Sequence, residues 1–135
     1  MNREIKFRAW DKADKVMREV YGLLYPKISN HGNRDKFMVN MHCSDYEGSK
    51  AIILSDFERP LDEVELMQFT GLLDKNGKEI YEGDIIETRV SGKSGSAIKA
   101  VIWNTKYCGF NIKDDEELER EIIGNIYENP ELLTN

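Results

Sequence analysis

The stretch from Leu66 to Glu87, LMQFTGLLDKNGKEIYEGDIIE, constrains the fold more than any other part of the chain. Asp74-Lys75-Asn76-Gly77 separates two apolar-rich runs, and Asn-Gly marks a tight turn because both residues tolerate positive φ at little cost. Glu82-Gly83-Asp84 punctuates the chain again before Ile85-Ile86, so two reversals close together predict three short neighbouring strands. The stretch is a scaffold, and none of its residues forms a reaction centre.

The rest of the chain follows the same grammar. Ile5 to Trp10 alternates apolar and basic residues with period two, which predicts a half-buried strand with Ile5, Phe7 and Ala9 inward. Asp11 to Lys15 is a polar turn, and Val16 to Tyr25 returns as the second arm of a hairpin. Pro26 and Ser29 to Asn33 make a loop, and two short apolar runs, Phe37–Met41 and Ala51–Leu54, are joined across Ser44 to Ser49. Pro60 to Glu63 predicts a single helical turn, since proline is accepted at the first helical position. Strands are then expected at Val64–Phe69, Ile85–Val90, Ile98–Trp103, Phe110–Ile112 and Ile122–Tyr127, with Ser91 to Ser96 as a Gly/Ser-rich hairpin tip. The acidic run after Ile112 is read as a loop or short helix, and Asn129-Pro130-Glu131 as an N-capped terminal turn. No long amphipathic helix interrupts these runs. The expected fold is mainly β, with an SH3-like antiparallel barrel in residues 66–135 and packed N-terminal β-hairpins in residues 1–65 of one 1–135 domain.

Charge and cysteine usage narrow the function classes. The net charge of −6 opposes non-specific nucleic-acid binding, which draws its affinity from Lys and Arg neutralising phosphates. The charge is segregated: Met1 to Arg18 carries +3, Arg89 to Lys106 carries +4 with no acid, and Asp114 to Glu121 carries −5. Such blocks either face each other within the fold or serve electrostatic docking. The charged N-terminus, MNREIKFRAWDK, predicts no secretory leader, no apolar run approaches the length of a membrane span, and a cytoplasmic location follows as an expectation. Cys43 and Cys108 are then free thiols, expected to pack as small apolar groups.

Each motif that suggests chemistry fails on spacing. Gly92-Lys93-Ser94 lacks the glycine of a phosphate loop, because Glu87 stands five residues before Gly92. Counted from Asp74, a calcium loop finds Lys78, Glu79 and Ile85 where it needs an oxygen ligand, glycine and glutamate. His31, His42, Cys43 and Cys108 show no paired metal-ligand spacing, and His42 and Cys43, adjacent on a strand, point to opposite faces. No catalytic, cofactor or metal residue is nominated. The aromatics Phe7, Trp10, Tyr21, Tyr25, Trp103, Tyr107 and Phe110 lie near basic residues, so Arg89, Lys93, Lys99 and Lys106 are the candidate contacts for nucleic acid or a partner.

Three segments, IKFRAWD at residues 5–11, LMQFTGLLDKNGKEIYEGDII at 66–86 and IIGNIYENPELL at 122–133, together resemble the YopX family of phage and prophage proteins. The resemblance implies a bacterial or phage-encoded cytoplasmic protein with a mainly β fold that includes an SH3-like barrel, and it transfers no catalytic residue. The shared positions read as structure: Gly71, Asn76, Gly77, Gly83 and Gly124 at turns or close approaches, and Phe69, Ile80, Tyr81, Ile85 and Ile126 in the core. The leading expectation is a non-enzymatic module acting through a protein partner or self-association. A nucleic-acid-binding accessory protein using the hairpin 89–106 is the alternative.

Overall fold

Strand β1 (Phe7–Asp11) forms where the period-two pattern predicts it in the computed structural model, which describes residues 4–24, 38–41 and 57–134. Ala9 is fully buried, whereas Ile5, expected inward, is 66% exposed because the strand starts only at Phe7. The inward run ends instead on Asp11, which is fully buried. Its Oδ1 accepts the N–H groups of Ala13 (3.0 Å) and Asp14 (3.3 Å), and its carbonyl accepts that of Lys15 (2.8 Å). This Asx-type turn returns the chain as β2 (Val16–Leu24), paired antiparallel with β1 in the register Ala9 to Arg18.

β2 pairs with β3 (Met38–Met41), and β3 with β4 (Phe57–Pro60), both antiparallel. A 3₁₀ turn over Leu61–Glu63 follows Pro60 and leads into β5 (Val64–Leu73), the neighbour of β1. Ala9, Val39, Met41 and Val64 form the buried core here, with Val20, Leu23 and Leu66 packed against it. The loop at Pro26 and Ser29–Asn33, the run Ala51–Leu54, the connection Ser44–Ser49, and the residues His31, His42 and Cys43 lie outside the described residues.

The chain forms two compact units, Lys6–Met67 and Gln68–Asn135, the second also taking in Met1–Ile5. In the second unit β5 continues to Leu73 and pairs antiparallel with β6 (Glu79–Tyr81), the register slipping between Phe69 and Leu73. Thr70 bridges the slip: its hydroxyl donates to the Ile80 carbonyl at 2.7 Å and accepts the Leu72 N–H at 3.2 Å. The intervening turn places only Gly77 of the Asn-Gly pair at positive φ (+79°), with its N–H donating to the Asp74 carbonyl at 3.0 Å.

The second reversal, at Glu82-Gly83, does not make a hairpin. β7 (Asp84–Val90) leaves β6 and becomes the centre of a separate sheet ordered β11-β7-β8, with β8 (Ala97–Ala100) and β11 (Leu118–Asn125) as its edges. The expected strand 98–103 breaks after Ala100, because Val101 turns its N–H to the Asp84 carbonyl and its own carbonyl to the Gly83 N–H, both at 2.8 Å. The chain then forms the small hairpin β9 (Trp103–Asn104) and β10 (Gly109–Phe110). β11 begins inside the acidic run, at Leu118, earlier than the expected Ile122. The architecture is therefore mainly antiparallel β with short 3₁₀ turns, and no closed barrel forms among the described residues.

Ile80, Ile86 and Val101 make the core of this unit, joined by Leu72, Phe110, Ile112 and Ile122. Ile85 and Ile86 are both fully buried although adjacent on β7, so both faces of the strand are covered there. Of the other expected core residues, Phe69 is buried, while Tyr81 and Ile126 are only half-buried.

The β7–β11 register shifts between Ile122 and Gly124, and a Cβ added at Gly124 would lie 2.6 Å from Asn129 Oδ1 and 2.9 Å from Asn129 Cβ. Asn129, expected to cap the 3₁₀ turn Pro130–Leu133, makes no side-chain cap bond and instead accepts the Asn125 N–H at 3.3 Å. Gly124→Ala is expected to cost about 2 kcal/mol of stability, the usual scale for forced overpacking. Asn129→Ala in the same chain should recover only part of it, since the Asn129 Cβ itself obstructs. The shift in urea midpoint of the single and double variants measures both.

Candidate interaction surface

Strand parity decides what the basic segment offers. Glu87 stands opposite Ile98, and Ile86 opposite Lys99, so Arg89 shares the Glu87 face of the sheet while Lys99 lies on the buried Ile86 face. Arg89 and Lys99, nominated together, point to opposite sides.

On the Glu87 face the charges cancel in pairs. Arg89 sits 3.0 Å from the Glu87 carboxylate and is paired in register with Glu119 on β11, and Lys75 lies 2.6 Å from Glu121. Hydrogen bonds from Ser96 and then from Arg89 hold the Glu87 carboxyl below its ordinary range, and the hydrogen bond with Glu121 raises the Lys75 ammonium. Lys75, Glu87, Arg89, Glu119, Arg120 and Glu121 line a shallow surface depression too small to enclose a small molecule. Arg89 of the basic block thus faces Glu119 of the acidic block across β7 and β11.

On the other face Lys99 is spent internally. Its Nζ donates to the Asn111 carbonyl at 2.6 Å, and burial, then the charge of Arg120, push its ammonium down. Asn111 also stitches the end of β8: its amide donates to the Ala100 carbonyl (2.8 Å) and accepts the Ile102 N–H (2.9 Å). Arg120, 8% exposed, donates to the Lys113 and Asp115 carbonyls and so fixes the acidic loop Asp114–Glu117.

Lys93 is exposed on the hairpin tip, and Lys106 is exposed with its ammonium 5.3 Å from the centre of the Tyr107 ring. The β9–β10 hairpin that carries Lys106 also exposes large apolar groups: Ile102 at 49%, Trp103 at 43% and Tyr107 at 72%. Trp103 packs edge-to-face on Phe110, centroids 5.2 Å apart, which fixes the indole. No Asp or Glu occurs from Thr88 to Lys113, while Arg89, Lys93, Lys99, Lys106 and Lys113 do, so the hairpin sits in the basic part of an acidic chain. Of the aromatics noted near basic residues, Trp103 and Tyr107 stay exposed, whereas Phe110 packs against the core. Cys108, expected to pack, is exposed at the turn with φ +50° and donates to the Thr105 carbonyl at 3.5 Å. The tight turn holds the thiol outward.

Among the described residues no His/Cys/Asp/Glu group is arranged to hold a metal ion, and no helix is long and apolar enough to cross a membrane.

A family model described as YopX protein matches residues 6–134. The fold is similar to the crystal structure of protein EF1440 from Enterococcus faecalis, with 24% identity over 98% of this chain and 99% of that one and a TM-score of 0.55. It is also similar to protein YopX from Bacillus subtilis, with 22% identity over 95% of this chain and 97% of that one and a TM-score of 0.52. No curated protein matches the chain.

Proposed function

The chain belongs to the YopX protein family, and on that premise we propose that it is a non-enzymatic, phage-encoded interaction module of the bacterial cytoplasm, which binds a protein partner or another copy of itself through the β9–β10 hairpin. The observation that carries this reading is the exposure of Trp103 and Tyr107 on one small hairpin, with Lys106 over the Tyr107 ring, in a segment whose sequence holds no acid. Aromatic and cationic anchors of this kind are the residues on which protein interfaces concentrate their energy. Trp103 is held by Phe110, so little side-chain entropy remains to be lost on binding. The cancelled charges and small volume of the depression around Glu87 and Arg89 support docking over small-molecule chemistry. The strand succession from β7 to β11 supports reading this unit as an opened SH3-like arrangement.

A nucleic-acid role remains the second reading, favoured by Lys106 beside the exposed Tyr107 ring. Its support is reduced because Arg89 is paired with Glu87 and Lys99 is turned inward.

The test is retention of host-cell proteins by the immobilised chain against its Trp103→Ser/Tyr107→Ser variant. A defined set of proteins retained by the parent and lost by the variant, at unchanged melting temperature, is expected. Equal retention by both would refute the hairpin as the docking element.

A further inference from the structure

We infer that Asn76 is a site of spontaneous modification, closing through a cyclic imide to aspartate or isoaspartate, and that the Asp74 cap is the guard that limits this reaction to moments when the turn opens. The Gly77 amide nitrogen, having given its proton to solvent, attacks Cγ of Asn76. The new C–N bond closes a ring and the side-chain nitrogen leaves as ammonia. Water then adds at either ring carbonyl and breaks a ring C–N bond. Asparagine and water are consumed, a carboxylic acid and ammonia are produced, and no oxidant or reductant enters.

The chain offers this chemistry at a single position. Asparagine is among the thermolabile residues, and Asn76 is the one asparagine followed by glycine, which has no Cβ to shield the attacking nitrogen. Asn104, Asn111 and Asn125 precede the β-branched Thr105, Ile112 and Ile126, which crowd the attack, and Asn129 precedes Pro130, which has no N–H. Asn111 and Asn125 also spend their side chains, on Ala100 and Ile102 and on Glu128. Asn76 and Gly77 are both exposed, and among the described residues the Asn76 side-chain amide has no hydrogen-bond partner.

The electrophile is therefore free and the nucleophile is held. The Gly77 N–H donates to the Asp74 carbonyl at 3.0 Å, and Oδ1 of Asp74 accepts the N–H groups of Asn76 at 2.8 Å and Lys78 at 2.9 Å. These bonds fix the backbone on both sides of the attacking nitrogen and keep its proton in place, so attack waits for local opening. The change is one-way. Isoaspartate routes the main chain through the former side-chain carbon, and the backbone gains a carbon between positions 76 and 77. The spacing that lets the Gly77 N–H reach Asp74 is lost, and the pin on β11, made by Asp74 on the Ile122 N–H and by the Lys75 N–H on the Arg120 carbonyl, loosens with it.

The test is peptide mapping by mass spectrometry, with an isoaspartate-specific methylation assay, after incubation of the full chain at neutral and mildly alkaline pH. A synthetic peptide spanning residues 72–80 serves as the unguarded reference. The parent should gain the amide-to-acid mass at Asn76 and at no other described asparagine, more slowly than the peptide, faster as pH rises, and with isoaspartate among the products. Asp74→Ala should convert roughly tenfold faster, the factor that one lost backbone hydrogen bond of ordinary strength gives. Asp74→Asn, which keeps an acceptor oxygen for the Asn76 and Lys78 N–H groups, should stay near the parent rate. Gly124→Ala lowers the stability of the same unit away from the turn and should leave the rate unchanged.

Equal rates in the parent and Asp74→Ala, or a parent as fast as the peptide, overturn the guard. Equal acceleration by Gly124→Ala and Asp74→Ala overturns it as well, because the route is then global unfolding. Absence of conversion at Asn76 in every variant, or aspartate formed without isoaspartate, overturns the imide.

Discussion

Replacing Asp11 with alanine is expected to lower stability by about 3 kcal/mol, the lower part of the range for breaking a buried ion pair from one side. Asp11 is fully buried, and its Oδ2 lies 3.1 Å from Nε of Arg18, whose side chain is 1% exposed. Arg59 approaches the same oxygen at 3.4 Å, and Asp14 holds the Arg18 Nη2 at 2.6 Å. Removing Asp11 strands a guanidinium that has no access to water, and Asp14 compensates in part. The loss also frees the Ala13 and Asp14 N–H groups that set the β1–β2 turn. Urea unfolding should show a lower midpoint at unchanged slope. Asp11→Leu with Arg18→Met is expected to recover most of the loss, since an apolar pair of similar volume avoids the desolvation cost. A single-variant loss below about 1 kcal/mol would place the pair with ordinary surface ion pairs and refute its burial as the cause.

Asp74→Ala is expected to cost about 3 kcal/mol as well, through backbone donors left without an acceptor. The Asp74 carboxylate, in a residue 7% exposed, accepts the N–H groups of Asn76 (2.8 Å), Lys78 (2.9 Å) and Ile122 (3.2 Å). Two of these close the turn, and the third pins the turn onto the edge of β11. There Lys75 donates its N–H to the Arg120 carbonyl at 2.8 Å. The Asn-Gly turn thereby occupies polar groups of an edge strand that would otherwise be open to pairing. Hydrogen exchange at Ile122 should accelerate in the variant along with exchange at Asn76 and Lys78. Acceleration confined to the turn would mean that the β11 contact contributes nothing.

The same two carboxylates set the acid limit of the fold. Burial alone would raise the Asp11 carboxyl, but the Asp14 N–H, Arg18, the Ala13 N–H and Arg59 together hold it below its ordinary value of 3.8. Burial likewise opposes ionisation of Asp74, and the N–H groups of Lys78, Ile122 and Asn76 outweigh it. A folded-state carboxyl held down contributes stability that is fully present above the unfolded value near 3.8 and disappears as pH falls through the lowered one. Stability should therefore be flat with respect to these groups near neutrality and fall as pH drops below about 4. Asp74→Asn should flatten that fall. An unchanged acid slope in this variant would remove Asp74 from the account.

Much of the fold is legible in single residues. Period-two alternation placed β1, Pro60 announced the 3₁₀ turn at Leu61–Glu63, and Asp-Lys-Asn-Gly located the turn between β5 and β6. Even the capping role of Asp74 had a sequence signal, since aspartate at the head of a turn commonly bonds the backbone two residues on. The candidate surface was less readable. Four basic residues in one segment suggested one patch, yet their faces depend on the register across the Ser91–Ser96 tip, and a shift of one residue would exchange the faces of Lys99 and Ile98.

What the sequence determined by itself is local: where the chain extends, where it reverses, and that no metal or nucleophile motif is spelled out in its spacing. Those properties depend on backbone freedom and side-chain type within a few residues. The tertiary structure alone decided that β6 and β7 part into different sheets, that Asp11 and Asp74 are buried acceptors, and that Trp103 and Tyr107 stay in solvent. Burial and strand pairing are set by residues distant in the chain, as in the contact of Asp74 with Ile122, and no local pattern encodes that meeting.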